Sequence, residues 1–182
     1  MMADTLSGRA KGRLVVLGLG SNLPDRERWL DLGTSALIGP GVRLVKTTPR
    51  WNTAPRGAPP QPDYLNQLLL LRANLGGGDW LLRAESAEQL AGRRRGVAKG
   101  PRTLDVDVLM VEGELSDTPR LTLPHPAILE RPHLLAGAAA LVPSWRLPGY
   151  DLPLSEIAKM MLRGSWERRA ALTGGGGRRG PA

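Results

Sequence analysis

The sequence predicts an α+β fold, a ferredoxin-like βαββαβ core with a mostly antiparallel sheet and helices packed on it, followed by C-terminal helical additions. Two observations carry this expectation. Apolar runs of strand length alternate with stretches of helical periodicity, and their order along the chain is β-α-β-β-α-β. That order is the split βαβ pattern, which places both helices on one face of an antiparallel sheet.

Leu14 to Leu19 is a short apolar run ended by Gly20-Ser21-Asn22, which reads as the first strand. Asp25 opens a helical stretch with Trp29, Leu32, Ala36 and Leu37 on one face, broken by Gly39-Pro40-Gly41. Val42 to Thr48 is a β-branched run expected to continue as a strand to about Trp51. Four prolines between Pro55 and Pro62 then forbid a helix or a central strand, so a loop is expected. Tyr64 to Ala73 is apolar enough for a buried strand. Gly76-Gly77-Gly78 reads as a turn, and Asp79 as the cap of a helix carrying Leu81, Leu82, Ala84 and Leu90. Leu104 to Val111 reads as the fourth strand, Leu121 to Leu123 as a short extra one, and 127–141 and 154–163 as helices. The core is expected over 13–165, between a flexible N-terminal tail at 1–12 and a flexible basic tail at 166–182.

The chain has 182 residues, 41% of them hydrophobic and 23% charged, which suits a globular domain able to bury a core. Without cysteine there is no disulfide, thiolate nucleophile or Cys-ligated metal. The longest apolar runs, Leu68 to Leu71 and Leu134 to Val142, fall well short of the roughly 20 residues that span a bilayer. Arg9, Lys11 and Arg13 before Leu14-Val15-Val16-Leu17 imitate a signal peptide, but no small-residue cleavage site follows, so a cytoplasmic protein is expected. The net charge of +8 is uneven. Residues 93–102 contribute +5 and residues 163–182 contribute +4, leaving the remainder near neutral.

Asp105 and Asp107 alternate with apolar residues on the fourth strand, so their side chains share a face about 7 Å apart. Two carboxylates so placed can share a hard cation such as Mg²⁺ with substrate phosphates, or be solvated acids paired with nearby arginines. Arg93, Arg94, Arg95, Lys99 and Arg102 precede them without an intervening acid. Such a run suits a loop closing over phosphates, a solvated charge run or a nucleic-acid patch, although no aromatic interleaves it to stack a base. Gly18-Leu19-Gly20 fails the dinucleotide fingerprint because Leu23 stands at its third glycine. His125, between Pro124 and Pro126, could donate to a phosphate or be an ordinary loop histidine. Tyr64 and Asn66 share a strand face, where they could hold a heterocycle or simply pack.

Together these segments resemble the 6-hydroxymethyl-7,8-dihydropterin pyrophosphokinases of folate biosynthesis. The resemblance rests on Leu19-Gly20-Ser21-Asn22-Leu23, Thr53-x-Pro55-x-Gly57, Gln61-Pro62-Asp63-Tyr64-Leu65-Asn66, Gly92-Arg93-x-Arg95, Gly100-Pro101-Arg102-Thr103-Leu104-Asp105-x-Asp107 and Leu121-x-x-Pro124-His125-Pro126. It covers about residues 14–158. It implies transfer of pyrophosphate from ATP to the pterin hydroxymethyl oxygen with release of AMP, dependent on Mg²⁺, with two ions expected. It also implies Asp105 and Asp107 as metal ligands and Arg93 and Arg102 as catalytic arginines. Glu88, Arg95, Arg120, Thr122 and His125 match ATP-binding positions. Thr53, Ala54, Pro55, Tyr64, Asn66 and His133 match the pterin pocket. ATP and the pterin are then the expected partners of a monomer, with neither nucleic acid nor membrane.

Three positions depart from the family pattern. Lys99 stands where a Trp usually precedes Gly-Pro-Arg, His133 where a Phe usually stacks on the pterin, and Arg56 where some members have an apolar residue. An imidazole at 133 predicts weaker pterin binding below about pH 6.5, where a free His protonates. A basic RNA- or DNA-binding domain on the same scaffold, and a relative that binds without catalysing, are the competing readings. The first lacks an RNP1-like string and any Phe, and the second is opposed by the retained acid pair and loop arginines.

Overall fold

The computed structural model describes residues 12–55, 60–93 and 100–162. The expected tails at 1–12 and 166–182 lie outside these residues, apart from Gly12, as do Arg56, Arg95 and Lys99. The described chain falls into two compact units that divide after His125.

The first unit is built on β1 (Arg13–Ser21), whose neighbours are β4 (Tyr64–Ala73) and β5 (Asp105–Val111). β2 (Arg43–Thr47) and β3 (Trp51–Thr53) both pair with β4, giving the order β2-β4-β1-β5 with every pairing antiparallel. Alternation sends Val15, Leu17 and Leu19 of β1, Leu65, Leu69 and Leu71 of β4, and Val106 and Val108 of β5 into one core. α1 (Arg26–Leu37) adds Leu30 and Leu37 to that core, and α2 (Gly77–Leu90) adds Trp80, Ala84 and Ala87. Burying a leucine of this kind stabilises the fold by roughly 1.5–3 kcal/mol. The helices are therefore held by this face of the sheet, which leaves Gly18, Gly20, Asn66, Asp105 and Asp107 on the other.

The structure corrects three expectations. The strand expected from Val42 to about Trp51 is two strands. Pro49 lacks the N–H that a ladder needs, and Thr48 ends β2 by bonding the Leu68 peptide twice, through its own N–H and through Oγ1. Helix α2 begins at Gly77, so Gly77 and Gly78 are helical and Asp79 is the third helical residue, its carboxylate accepting the Gly76 N–H at 2.9 Å. The Gly77 N–H donates to Glu114, and a Cβ at Gly77 would come within 2.6 Å of Leu123. Tertiary contacts of this kind, rather than local propensity, set that start. The helix expected over 127–141 is α3 (Ala127–Glu130) followed by α4 (Pro132–Leu141), because Pro132 starts a new helix and disfavours helical backbone at Arg131.

Thr122–Leu123 forms β7, and pairs with β6 (Ser116–Asp117), a partner strand the sequence did not announce. In the second unit α3, α4 and α5 (Leu154–Leu162) pack through α4. The connection before α5 is pinned where the Leu154 N–H donates to the Trp145 carbonyl at 2.7 Å. No helix among the described residues is long and apolar enough to cross a membrane.

Candidate active site

The register of three strands builds the site. Gly20 of β1 pairs with Asn66 of β4 on one side and Asp105 of β5 on the other, so these residues form one row on the face opposite the helices. Gly18 pairs with Leu68 and Asp107 in the next row. Asn66 and Asp105 are two strand spacings apart, about 10 Å, with only a glycine between them. A Cβ at Gly20 would lie 3.4 Å from Asn66 Oδ1 and 3.5 Å from Tyr64 Cδ1. Bare backbone therefore floors the space between an aromatic–amide pair and an acid pair.

On the amide side, the Asn66 Nδ2 group donates to Thr53 Oγ1 at 3.0 Å, to the Tyr64 carbonyl at 3.2 Å and to the Trp51 carbonyl at 3.3 Å. Strand β3 thus orients the amide, and Ala54 and Pro55 lead away from it toward the proline-rich segment. A stacking ring beside an oriented amide suits a flat heterocycle with donors and acceptors on its edge.

On the acid side, Asp105 pairs with Arg102 at 2.5 Å and with Arg93 at 3.2 Å, and Arg93 also pairs with Glu88. Glu88, near the end of α2, accepts the Val106 N–H at 2.9 Å, which ties that helix end to β5. Burial pushes the Glu88 carboxyl above its ordinary range, against the opposing pull of the Val106 N–H and Arg93. Burial works against the Arg102 charge as well, but the Asp105 carboxylate outweighs it and raises the pKa of the guanidinium. Two arginines and two acids are thus gathered at the edge of the acid pair. Asp105 and Asp107 offer hard oxygen donors on one strand face, a set that fits Mg²⁺ when phosphates complete the coordination.

The remaining expected residues are placed less tightly. Arg120 pairs with Glu85 of α2 at 2.9 Å, on the surface and one helical turn before Glu88. Thr122 lies in β7, and the His125 N–H donates to the Leu109 carbonyl at 2.8 Å, which holds that segment against β5. His133 is on α4 of the second unit. Arg95 lies outside the described residues.

Asn22 received no role from the sequence beyond its place in a motif. It is 1% exposed, and its side chain bonds chain segments 39 and 80 residues away. Because those partners are distant in sequence, no local pattern around Asn22 announces them.

A family model described as 7,8-dihydro-6-hydroxymethylpterin-pyrophosphokinase matches residues 16–143. The 2-amino-4-hydroxy-6-hydroxymethyldihydropteridine pyrophosphokinase of Pseudomonas aeruginosa is 37% identical over 141 residues, covering 76% of this chain and 87% of its own. The Mycobacterium leprae protein of the same name is 39% identical over 133 residues, covering 67% of this chain and 66% of its own. The crystal structure of Plasmodium falciparum HPPK-DHPS with pterin and p-hydroxybenzoate superposes with a TM-score of 0.63 at 10% identity, covering 92% of this chain. This chain spans 46% of that longer one, and the likeness extends to the fold alone. With the family model matching 16–143 and relatives of the same name above 30% identity, this chain belongs to the 7,8-dihydro-6-hydroxymethylpterin-pyrophosphokinase family.

Proposed function

We propose that the chain transfers pyrophosphate from ATP to the hydroxymethyl oxygen of 6-hydroxymethyl-7,8-dihydropterin, in folate biosynthesis, across the glycine floor between Asn66 and Asp105. The observation that carries this reading is the Asn66–Gly20–Asp105 row, which supports it by putting an amide and an acid about 10 Å apart on one sheet with only a glycine between them. The strand order β2-β4-β1-β5 supports a ferredoxin-like core, and α3, α4 and α5 support the C-terminal helical additions.

Tyr64 stacks on the pterin, and Asn66, Thr53, Ala54 and Pro55 hold its edge, with His133 as the second ring. Glu88, Arg95, Arg120, Thr122 and His125 bind ATP. Asp105 and Asp107 would hold Mg²⁺, with two ions expected. When bound, the metal neutralises phosphate charge and aligns the ATP chain. The hydroxymethyl oxygen attacks the β-phosphorus, the bond from that phosphorus to the oxygen bridging it to the α-phosphate breaks, and AMP leaves while the hydroxyl proton passes to solvent. Phosphoryl chemistry of this kind needs alignment and charge neutralisation rather than a covalent nucleophile, which is what the residues supply. Arg93 and Arg102 both pair with Asp105. Arg93 and Arg102 would meet the ATP phosphates from beside Asp105, where their guanidinium groups can form charge-assisted bonds to phosphate oxygens. A monomeric cytoplasmic enzyme is part of the same reading.

AMP release from ATP, measured with the pterin substrate and Mg²⁺ in wild type and Asp107→Ala, tests it. Wild type turns over, and the folded variant loses activity by orders of magnitude. A silent wild type would sink the reading. ATP or pterin binding without turnover would leave a non-catalytic relative.

A further inference from the structure

We propose that Arg50 is a positioning residue that sets the pterin side of the site from behind, by locking the start of β3 to α1 and β4. Strand β3 is three residues long and, among the described residues, pairs with β4 alone. It nevertheless supplies two of the acceptors that orient the Asn66 amide, the Thr53 hydroxyl at 3.0 Å and the Trp51 carbonyl at 3.3 Å. Both take the Nδ2 group, so Oδ1 is the end of the amide left over the Gly20 floor, 3.4 Å from where a Cβ would stand. The seat of β3 therefore decides which way this amide meets a heterocycle.

Arg50 stands directly before β3, and its guanidinium uses three nitrogens on three partners. Nε donates to Gln67 Oε1 at 3.2 Å, and the two terminal nitrogens pair with Glu27 and Asp31, one turn apart on α1. Gln67 donates in turn to the Thr48 carbonyl at 3.1 Å, so the link between β2 and β3 is tied to β4 at both 48 and 50. Alternation puts Gln67 on the helix side of β4 with Leu65 and Leu69, and its neighbour Asn66 on the site side. The lock and the ligand face are thus one residue apart on one strand. The two acids are 66% and 68% exposed, so as isolated pairs they contribute little. Their effect is directional, because a planar fork held on three sides fixes the peptide that carries it. Arg26, the first residue of α1, ties the middle of β3 through Asn52 Oδ1 at 3.0 Å, so loss of Arg50 loosens one end of the strand rather than the whole.

The inference rests on the pyrophosphokinase reading, and its test separates the two. In steady-state AMP release by the full chain, Arg50→Ala raises KM for the pterin about tenfold, the worth of one misaligned hydrogen bond, while KM for ATP stays within about twofold. The double variant Glu27→Gln, Asp31→Asn removes the ion pairs from the exposed side of α1 and raises the pterin KM by a smaller factor. Adding it to Arg50→Ala costs little more, because all three residues act through one network. Circular dichroism and Tm confirm that the variants are folded.

Amide hydrogen exchange over 51–53 reads the lock without turnover, and this segment exchanges faster in Arg50→Ala while β1 exchanges as in wild type. An unchanged pterin KM in folded Arg50→Ala, an equal rise in KM for ATP, or unchanged exchange over 51–53 overturns the proposal. Should Arg50→Ala not fold, an unchanged pterin KM in the Glu27→Gln, Asp31→Asn variant overturns it. A wild type that releases no AMP defeats the functional reading instead, and the exchange result still decides the lock.

Discussion

Gly20 is where a single missing carbon decides what the surface can hold. A Cβ there meets only ordinary contacts with Asn66 and Tyr64, and alanine suits a strand better than glycine by roughly 0.5–1 kcal/mol. Gly20→Ala is expected to fold at least as stably as wild type while raising KM for the pterin by tenfold or more, because its methyl occupies the floor of the site. Steady-state kinetics beside a urea melt checks this, and an unchanged pterin KM rejects it. Glu88 gives a prediction with a sign. Its carboxyl is pushed up from 4.5 chiefly by burial, so its contribution to stability is full below about pH 4.5 and is lost as pH rises through the folded value. The stability of wild type relative to Glu88→Gln should therefore fall between about pH 4 and pH 7 in urea denaturation. A rise over that interval would mean that Arg93 and the Val106 N–H outweigh burial.

At the scale of elements, the site depends on where α2 begins and ends. Its start is held by the Gly77 N–H on Glu114, which in turn pairs with Arg13 at the far end of β1. Its end is held by Glu88 on β5. Gly77→Ala would force a Cβ into Leu123, Leu121 and Glu114, all under 3.0 Å. A loss of about 1–3 kcal/mol by denaturant unfolding is expected, as for other overpacked positions. An unchanged midpoint would show that those side chains move aside. The helix's existence was legible in its periodicity, whereas its first residue was not. Three glycines read locally as a turn, and the contacts that make two of them helical come from residues about 40 positions away. Strands β2 and β3 teach a related lesson. The β-branched run was visible, and Pro49 was visible too, yet only the pairing of Thr48 with Leu68 shows where the ladder stops.

For the molecule as a whole, the charge of +8 belongs largely to residues 93–102 and 163–182. Of residues 93–102, the described Arg93 and Arg102 pair with Asp105, and under the proposed function this local charge meets the ATP phosphates. Raising ionic strength from about 0.05 to 0.5 M shortens the screening length severalfold, so KM for ATP should rise while KM for the uncharged pterin stays within about twofold. Steady-state kinetics at the two salt concentrations decides this, and a parallel rise in both constants would count against a local electrostatic role.

The sequence by itself determined the order of the main strands and helices of the first unit and the polar residue types that share a strand face. Asp105 and Asp107 alternate on one strand, as do Tyr64 and Asn66, and alternation is a local property of the backbone. Only the tertiary structure decided that these two pairs face each other across Gly20, that both arginines converge on Asp105, and that Asn22 ties Arg102 to Pro62. Strand register and long-range hydrogen bonds belong to pairs of distant segments, so no stretch of sequence carries them alone.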